Sequence, residues 1–443
     1  MELSIIVATH NRGTLLKRAL DNVSEISRHS RCANEIIVVD NNSSDSTRKM
    51  TSDFRKNFEN VRYVFEGRTS LSKARNTGGY VAKGKYLLFL DDDVIVKKGS
   101  FDEIVSTFNR LQRCGVIAGR IMPKFLEKAP GWIGPAQKIF NGLSLYDKKY
   151  LPNIKKDFQE VLSANGPMMA VRKNLFHKIG GYPPDTIGVE TNLGGKEFRK
   201  LFIGPGDYGL CTNARREGYK IYYSNKVSCF HLIPPTRLTV SFWRARMISE
   251  GQYEATSSRY FFSQSKLLLG LKLLARKSFY LKYKNIFSSK IDRLNRNRGQ
   301  GSVSPEELLL HYHRSYLEMS YVLSKNKSFG RYLWKIGKEG VSDKEYEKVV
   351  RKMPRDYKVI TSSKYMYNES PLKDLEQYED TFEVLEKSLY KTSFFSSVMI
   401  PFLSILDTWL RIRKNVYLQR VYLKMTGFLS VFKTPDKQDP IYI

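Results

Sequence analysis

Short, nearly continuous apolar runs alternate with helix-length stretches through the first hundred residues. Leu3-Ser-Ile-Ile-Val-Ala8, Glu35-Ile-Ile-Val-Val-Asp40, Val61-Arg-Tyr-Val-Phe65 and Tyr86-Leu-Leu-Phe-Leu90 each have strand length. Runs of this kind, spaced by helices, predict a parallel sheet covered on both faces. The intervening helices begin where caps are available: Asp45-Ser46-Thr47 after the second run, and Ser70 ahead of a stretch to Ala82. In such sheets ligands bind at the carboxyl ends of the strands. The polar residues just beyond each run are therefore the candidate chemistry.

After about Gly251 the alternation stops, and long helical patterns rich in Leu, Tyr and Lys take over. Residues 251–300 hold eleven Lys/Arg against two acids. Asn295-Arg-Asn-Arg-Gly-Gln-Gly301 reads as a turn or linker, and Ser304-Pro305-Glu306-Glu307 as a helix start. Ser265 to Lys284 combines apolar bulk with a cationic face, as does Trp409-Leu-Arg-Ile-Arg-Lys414 followed by Val416 to Lys424. That pattern suits either a helix lying on an anionic membrane or one packed on the catalytic region. Phe394 to Leu410 is the most apolar late stretch, but Ser396, Ser397, Pro401, Ser404 and Asp407 interrupt it, so no spanning helix is expected there.

Composition changes this picture in one respect. Of 443 residues, 74 are Lys or Arg and 44 Asp or Glu, a net charge of +30. Such a balance favours nucleic acid, an anionic membrane surface or phosphate-bearing substrates. Hydrophobic residues at 41% support a packed core and exclude a disordered chain. Cys32, Cys114, Cys211 and Cys229 lie far apart with no CxxC pair, which argues against a zinc site or a disulfide framework and for a reducing, cytosolic setting. Leu3 to Thr9 is apolar but too short for a signal peptide and lacks a cleavage site, so none is expected there.

The sharpest local signal is Leu87-Leu-Phe-Leu-Asp91-Asp92-Asp93-Val94, an apolar strand ending in three carboxylates. Adjacent acids repel, so a cation should compensate them, and hard divalent ions such as Mg²⁺ take ligands of this kind together with substrate phosphates. Ser4-Ile-Ile-Val-Ala-Thr9-His10-Asn11-Arg12 and Asp40-Asn41-Asn42-Ser43-Ser44-Asp45 end two other strands in polar turns. Together they place three polar clusters on one edge of one sheet. Other motifs fail. Gly79 to Lys85 mimics a phosphate loop but has Tyr86 where Ser or Thr is needed, and it runs from helix into strand. His311 and His313, two apart in a helix, point to different faces. No Gly-x-Ser-x-Gly elbow is present.

These pieces resemble a family 2 glycosyltransferase of the GT-A fold. The resemblance is carried by Ser4 to Arg12, Ile36 to Asp45, Ala74-Arg75-Asn76-Thr-Gly78 and Phe89 to Val94. It continues in Ala164 to Ala170, Gly180-Gly-Tyr-Pro183 and Gly206-Asp207-Tyr-Gly-Leu210, and ends near His231 to Gly251. It implies an α/β fold, a Rossmann-like mixed sheet with flanking helices, over residues 1–250. Within this, 1–120 would hold the donor and 121–250 the acceptor and base. A basic, mainly helical region, 251–443, would follow and dock to membrane or partner.

The resemblance also implies roles. Thr9, Asn11 and Arg12 would line the nucleotide pocket, Asp40 would contact the base, and Arg75 and Asn76 would sit near nucleotide and sugar. Asp91 and Asp93 match the family's Asp-x-Asp motif, with Asp92 between them in the same donor site. Asp91 would face the ribose or sugar and share the metal with Asp93, which would take Mn²⁺ or Mg²⁺, and His231 would complete the metal shell. Asp207 falls at the position of the catalytic base, although Gly206 and Gly209 stand where the family usually has acids. Arg237, Arg244 and Arg246 match a loop and helix that close over the diphosphate.

The implied activity is an inverting, metal-dependent transfer from a nucleotide-diphospho sugar, a UDP-sugar above all. The acceptor would be a hydroxyl of a saccharide or lipid-linked saccharide in cell-surface polysaccharide or glycolipid synthesis. The expected place is the cytoplasm, peripheral on the cytoplasmic membrane face, with an anionic membrane surface and a second copy of the chain as further partners. No specific nucleic acid is expected. Two other readings stay open at this point: a catalytically inactive scaffold of the same fold, and a basic nucleic-acid-binding protein.

Overall fold

The computed structural model describes residues 1–151, 153–183, 186–188, 200–202 and 206–261, with 302–304, 307–308, 311–312 and 315 beyond them. The expected membrane-facing stretches between 265 and 424 lie outside the described residues. So do His313 and most of the expected C-terminal region. The chain runs β1 (Leu3–Thr9), α1 (Gly13–His29), β2 (Asn34–Asp40), α2 (Thr47–Arg55), β3 (Val61–Phe65), α3 (Leu71–Val81), β4 (Tyr86–Asp91), β5 (Val94–Val96) and α4 (Ser100–Arg110). It continues through β6 (Cys114–Phe125), α5 (Ile133–Phe140), β7 (Phe158–Val161), β8 (Met168–Arg172), α6 (Lys173–Lys178), β9 (Thr186–Gly188) and β10 (Lys200–Phe202). Then come α7 (Gly206–Arg216), β11 (Lys220–Ile233), a 3₁₀ turn (Pro235–Leu238) and α8 (Val240–Phe261). Helix α8 passes through Gly251 without a break.

Among the described residues the main sheet has the order β3-β2-β1-β4-β8-β6-β11-β5, with β7 also paired to β11. The first four of these strands are parallel, as their continuous apolar runs predict. Strand β8 then runs antiparallel between β4 and β6, so the sheet is mixed. Every residue of β1 is buried, and a strand with no exposed residue has both faces of its sheet covered. Two polar residues inside these runs are reconciled by pairing. The Ser4 hydroxyl donates to Glu35 Oε1 at 2.7 Å and accepts from the Gly84 N–H at 2.8 Å. Arg62 Nη1 donates to the other Glu35 oxygen at 2.6 Å.

The helix starts follow their caps. Ser70 Oγ accepts from the Lys73 N–H at 3.2 Å, satisfying a first-turn donor of α3. At α2 the capping carboxylate is Asp45, which accepts from the Thr47 N–H at 3.0 Å. Helix α3 approaches the sheet through Gly78, where a Cβ would lie 2.5 Å from Ile6 Cγ2 and 2.9 Å from Val39 Cγ2. Gly84 meets β1 as closely, 2.5 Å from the Ser4 nitrogen. A Cβ at Gly79 would lie 2.6 Å from Phe176 Cε1, so both glycines of the phosphate-loop mimic, Gly79 and Gly84, serve packing. All four cysteines are buried and free. No helix among the described residues is long and apolar enough to cross a membrane.

Two features of this topology position the site. Because β8 runs opposite to β4, the residues entering it lie at the carboxyl end of β4, and the Asp91 N–H donates to Pro167 O at 3.3 Å. Because β5 pairs antiparallel with β11, Val94 lies opposite His231, and the Leu232 N–H donates to Asp93 O at 2.8 Å. Residues distant in sequence thus meet the three strand-end acids.

Candidate active site

The carboxyl ends of β1, β2 and β4 bring Thr9, Asp40 and Asp91 to one edge, as the register requires. The turn after β1 is held to the loop after β2. Asn11, at φ 53°, accepts from the Ser44 N–H at 2.7 Å through Oδ1, and its own N–H donates to Ser43 Oγ at 3.0 Å. Asparagine tolerates this left-handed backbone. His10 Nδ1 donates to Asn41 O at 2.8 Å. Asn11 is thereby a brace between two loops of the edge, and Arg12 at its side is partly open to solvent, with 42% of its side chain exposed.

The three acids have three different environments. Asp91 stays partly exposed and accepts from Arg75 Nη2 at 2.7 Å. Asp92 is turned inward: its oxygens accept from the Thr9 hydroxyl at 2.6 Å and from Arg12 Nη1 at 2.9 Å. Burial pushes the Asp92 carboxyl up to about 6, against the opposing pull of Arg12 and with the help of the neighbouring Asp93 charge. Asp93 is equally buried, and its Oδ2 accepts from Arg12 at 3.2 Å and from Arg237 Nη2 at 3.1 Å. Burial penalises the Asp93 charge as well, the guanidiniums of Arg237 and Arg12 beside it favour that charge, and the carboxyl is held below the usual range.

Across from Asp91 stands Asp207, in the first turn of α7. Arg75 joins the two: Nη1 donates to Asp207 Oδ1 at 2.8 Å while Nη2 reaches Asp91. The guanidinium also donates to Gly166 O at 3.3 Å and lies 5.2 Å from the Tyr182 ring centroid. Arg75 has only 5% of its side chain exposed, against 28% for Asp207. Asp207 is thus walled in by protein yet keeps an opening. Enclosure raises its carboxyl above the usual range, Arg75 pulls it back, and Asp91 adds to the rise.

His231 is buried beside Asp93. Its Nδ1 lies 3.1 Å from Leu143 O, an acceptor only, so Nδ1 carries the proton. Arg237 Nη1 lies 2.8 Å from Nε2 and is a donor only, so Nε2 presents a lone pair. Nε2 and Asp93 Oδ1 are 3.3 Å apart, and with no proton between them Oδ1 is a buried oxygen without a hydrogen-bond partner. A lone-pair nitrogen and an unsatisfied carboxylate oxygen side by side suit a divalent cation, and this pair fits the expected metal. Among the described residues no three His, Cys, Asp or Glu side chains make a cage on their own. Such a site would need oxygens from the ligand, as Mg²⁺ sites built on one or two carboxylates and phosphates do.

Other expected residues have different surroundings. Asp40 is 1% exposed, and its oxygens accept from the Ser43 N–H at 2.9 Å and the Tyr63 hydroxyl at 2.7 Å. Burial and the Asp40 charge push the Tyr63 phenol up to about 12. Tyr63 has no motif around it; only the strand register, which pairs Asp40 with Phe65 two residues on, reveals it. Both polar atoms of the Asn76 side chain clamp the Tyr182 backbone, at 2.9 and 2.7 Å. Arg237 reaches the acids, but Arg244 pairs with Glu307 at 2.6 Å and Arg246 with Glu250 at 2.7 Å. Leu143, which supplies a carbonyl to His231, is also outside the motifs, whereas Gly166, which supplies one to Arg75, lies within Ala164 to Ala170.

Residues 4–180 match the family model described as glycosyl transferase family 2. A GalNAc(5)-diNAcBac-PP-undecaprenol beta-1,3-glucosyltransferase of Campylobacter jejuni is 30% identical over 194 residues, covering 43% of this chain and 58% of that protein. A poly(ribitol-phosphate) beta-glucosyltransferase of Bacillus spizizenii is 28% identical over 38% of this chain and 30% of its own length. The glycosyltransferase AglE of Haloferax volcanii is 29% identical over 53% of this chain and 67% of its own. The chain therefore spans between about a third and two thirds of these relatives. A solved mannosyltransferase from Pyrobaculum calidifontis, in complex with GDP-Man and Mn²⁺, superposes with a TM-score of 0.41 at 14% identity over 92% of this chain and 87% of that one. So loose a likeness carries no weight. The segment that begins at β1 and holds the strand-end acids is thus similar in sequence to glycosyl transferase family 2.

Proposed function

We propose that the protein is an inverting, metal-dependent glycosyltransferase that moves a sugar from a nucleotide-diphospho donor, a UDP-sugar, to a hydroxyl of a saccharide or lipid-linked saccharide. The observation that carries this reading is Arg75, which ties donor-side Asp91 to Asp207 with contacts of 2.7 and 2.8 Å. One guanidinium thereby sets the distance between the acid at the strand end and the acid that would act as base. Asp207 Oδ2 is not used by Arg75, and Gly166 next to it has no side chain; a Cβ there would lie 2.5 Å from that oxygen. This leaves room for an acceptor hydroxyl to approach.

In the proposed reaction Asp207 takes the proton of that hydroxyl as its oxygen attacks the anomeric carbon. Attack comes from the side opposite the leaving nucleoside diphosphate, so the configuration inverts. Arg75 holds Asp207 ionised against its burial and fixes its rotamer. Arg12 and Arg237, already beside Asp92 and Asp93, offer donors to phosphate oxygens. Asp93 and His231, with Asp91 alongside, would hold the divalent cation, which when bound neutralises charge on the departing diphosphate. Residues 1–120 would serve the donor and 121–250 the acceptor and base. The relatives named for undecaprenol-linked and poly(ribitol-phosphate) substrates support a cell-surface acceptor, met at the inner membrane face.

The test is a panel of nucleotide sugars with Mn²⁺ or Mg²⁺, read as nucleoside diphosphate release. One donor should be consumed, with Asp93→Asn losing metal dependence. Asp207→Asn should keep donor binding but turn over about 10²–10⁴-fold more slowly. Absence of both release and calorimetric binding for every donor would overturn the proposal; binding without release in the presence of the relatives' acceptors would point to an inactive scaffold.

A further inference from the structure

The Asp93–His231 pair is not free in this structure. Arg237 sits on it, with Nη2 on Asp93 Oδ2 at 3.1 Å and Nη1 on His231 Nε2 at 2.8 Å. One guanidinium therefore contacts both side chains that would ligate a cation. Arg237 belongs to a four-residue 3₁₀ turn, Pro235–Leu238, between β11 and α8. The turn is pinned by its backbone, since the Arg237 carbonyl accepts from Trp243 Nε1 at 3.1 Å, and Trp243 is fully buried. The side chain is less constrained, being 23% exposed. The arrangement thus fixes where the arginine starts and leaves its head group able to swing.

We propose that Arg237 is a built-in counter-cation of the Asp93–His231 pair, competing with the divalent ion for it until a nucleoside diphosphate draws the guanidinium away. The inference rests on the proposed metal-dependent transferase reading. Its logic is electrostatic. Asp93 is a buried carboxylate, and a buried charge needs a partner at all times. Before donor binding Arg237 is that partner, helped by Arg12 on the same oxygen. A divalent ion on Asp93 and Nε2 would repel a guanidinium bonded to the same two side chains, so both do not stay. A diphosphate brings further oxygens for the ion and bidentate acceptors for the arginine. Metal and nucleotide then tighten each other's binding through one displaced side chain, a reciprocal coupling.

The alternative is that Arg237 only braces the turn. The two predict opposite outcomes for metal binding in the absence of nucleotide. The experiment titrates Mn²⁺ alone into the full chain, with free Mn²⁺ read by electron paramagnetic resonance, with and without UDP. Wild type, Arg237→Gln, Arg237→Lys and Asp93→Asn are compared. We expect UDP to tighten Mn²⁺ binding in wild type by about tenfold or more, within the usual range of such couplings. We expect Arg237→Gln to bind Mn²⁺ alone about tenfold more tightly than wild type, and to gain correspondingly less from UDP. Arg237→Lys, which keeps the charge, should stay near wild type, and this guards against a fold defect in the glutamine variant. Asp93→Asn should lose the site. Equal or weaker Mn²⁺ binding by Arg237→Gln, with wild type still binding Mn²⁺ in the presence of UDP, would overturn the role of Arg237 alone. Failure of every protein to bind Mn²⁺ even with UDP would overturn the metal reading and this inference with it.

Discussion

Removing the Arg75 guanidinium is the perturbation whose consequence follows most directly from the geometry. Arg75→Ala deletes donors at 2.7 Å to Asp91, 2.8 Å to Asp207 and 3.3 Å to Gly166 O. Breaking a buried ion pair from one side costs about 3–5 kcal/mol, because the other charge is left unpaired. Here two carboxylates are left, but their side chains keep 25% and 28% exposure, so water replaces part of what is lost. The expected cost is about 3 kcal/mol, at the lower end of that range. The two orphaned acids would then repel each other, and Asp207, already raised by burial, would rise further. Lowering the pH protonates it and relieves the repulsion, so the deficit of the variant should shrink toward acid.

The assay is urea unfolding of wild type, Arg75→Ala, Asp207→Asn and the double variant at neutral pH. If Arg75 pairs with Asp207, the second substitution should be less harmful in the alanine background, with a coupling energy of about 1–3 kcal/mol. A cost below about 1 kcal/mol for Arg75→Ala, or additivity within about 0.5 kcal/mol, would refute the bridge. The tryptophan pair Trp132–Trp243, with ring centroids 6.0 Å apart, gives a fluorescence signal away from the substituted residues.

Two further outcomes test the packing and pairing of the same sheet. Gly84→Ala would put a methyl 2.5 Å from the Ser4 nitrogen and 2.7 Å from the Leu3 carbonyl carbon. Backbone there cannot yield, so thermal melts should show a loss of about 2–3 kcal/mol; a loss under about 0.5 kcal/mol would show that the contact is relieved. Glu66 is held down to about 2 from its ordinary 4.5, chiefly by hydrogen bonds from Arg68, with burial opposing and Thr77 helping. A depressed carboxylate stabilises above its unfolded pKa and loses that contribution as pH falls through the folded one. Discounted for Arg68, half exposed, Glu66→Gln should cost about 1–2 kcal/mol at neutral pH. The difference from wild type should vanish on acidification between 4.5 and about 2; a difference unchanged with pH would refute it.

What could be read from the sequence was what is local. Strands β1 to β4 are continuous apolar runs, and their parallel order follows from the helices between them. Asp91 to Asp93 stand out because three carboxylates end such a run. The remainder depends on partners far along the chain. Strand β5 has three residues and exists by pairing with β11, so no period in its own sequence announces it. Strand β11 carries Lys, Asn, Ser and His among its apolar residues and has a register shift between Ser224 and Ser228, which hides it from pattern reading. Asp92, expected in the donor pocket, stands in the turn between β4 and β5, and only the assembled fold shows that its oxygens are taken up by Thr9 and Arg12. Asn76 matches a family motif, yet its side chain is a clamp on Tyr182. A motif records which residues recur; which way each one faces is decided by a register that only the assembled sheet supplies.

The arginines explain how three adjacent acids coexist at this edge without a ligand. Asp91 is paired by Arg75, Asp92 by Arg12, and Asp93 by Arg12 and Arg237. The sequence argument that a cation must compensate the acids holds, but the compensating cations belong to the chain itself. This has a cost for any anionic substrate: a diphosphate gains arginine contacts only as carboxylates lose them. On the proposed reading a divalent ion would remove that conflict by taking over the acids while the guanidiniums turned to the phosphates. Arg75 differs from the other two because its side chain is only 5% exposed and pairs with both Asp91 and Asp207. It is suited to stay fixed while Arg12 and Arg237, both partly exposed, exchange partners. On the proposed reading the edge divides into a rigid arm, which would set Asp207 against Asp91, and a movable one that answers to charge.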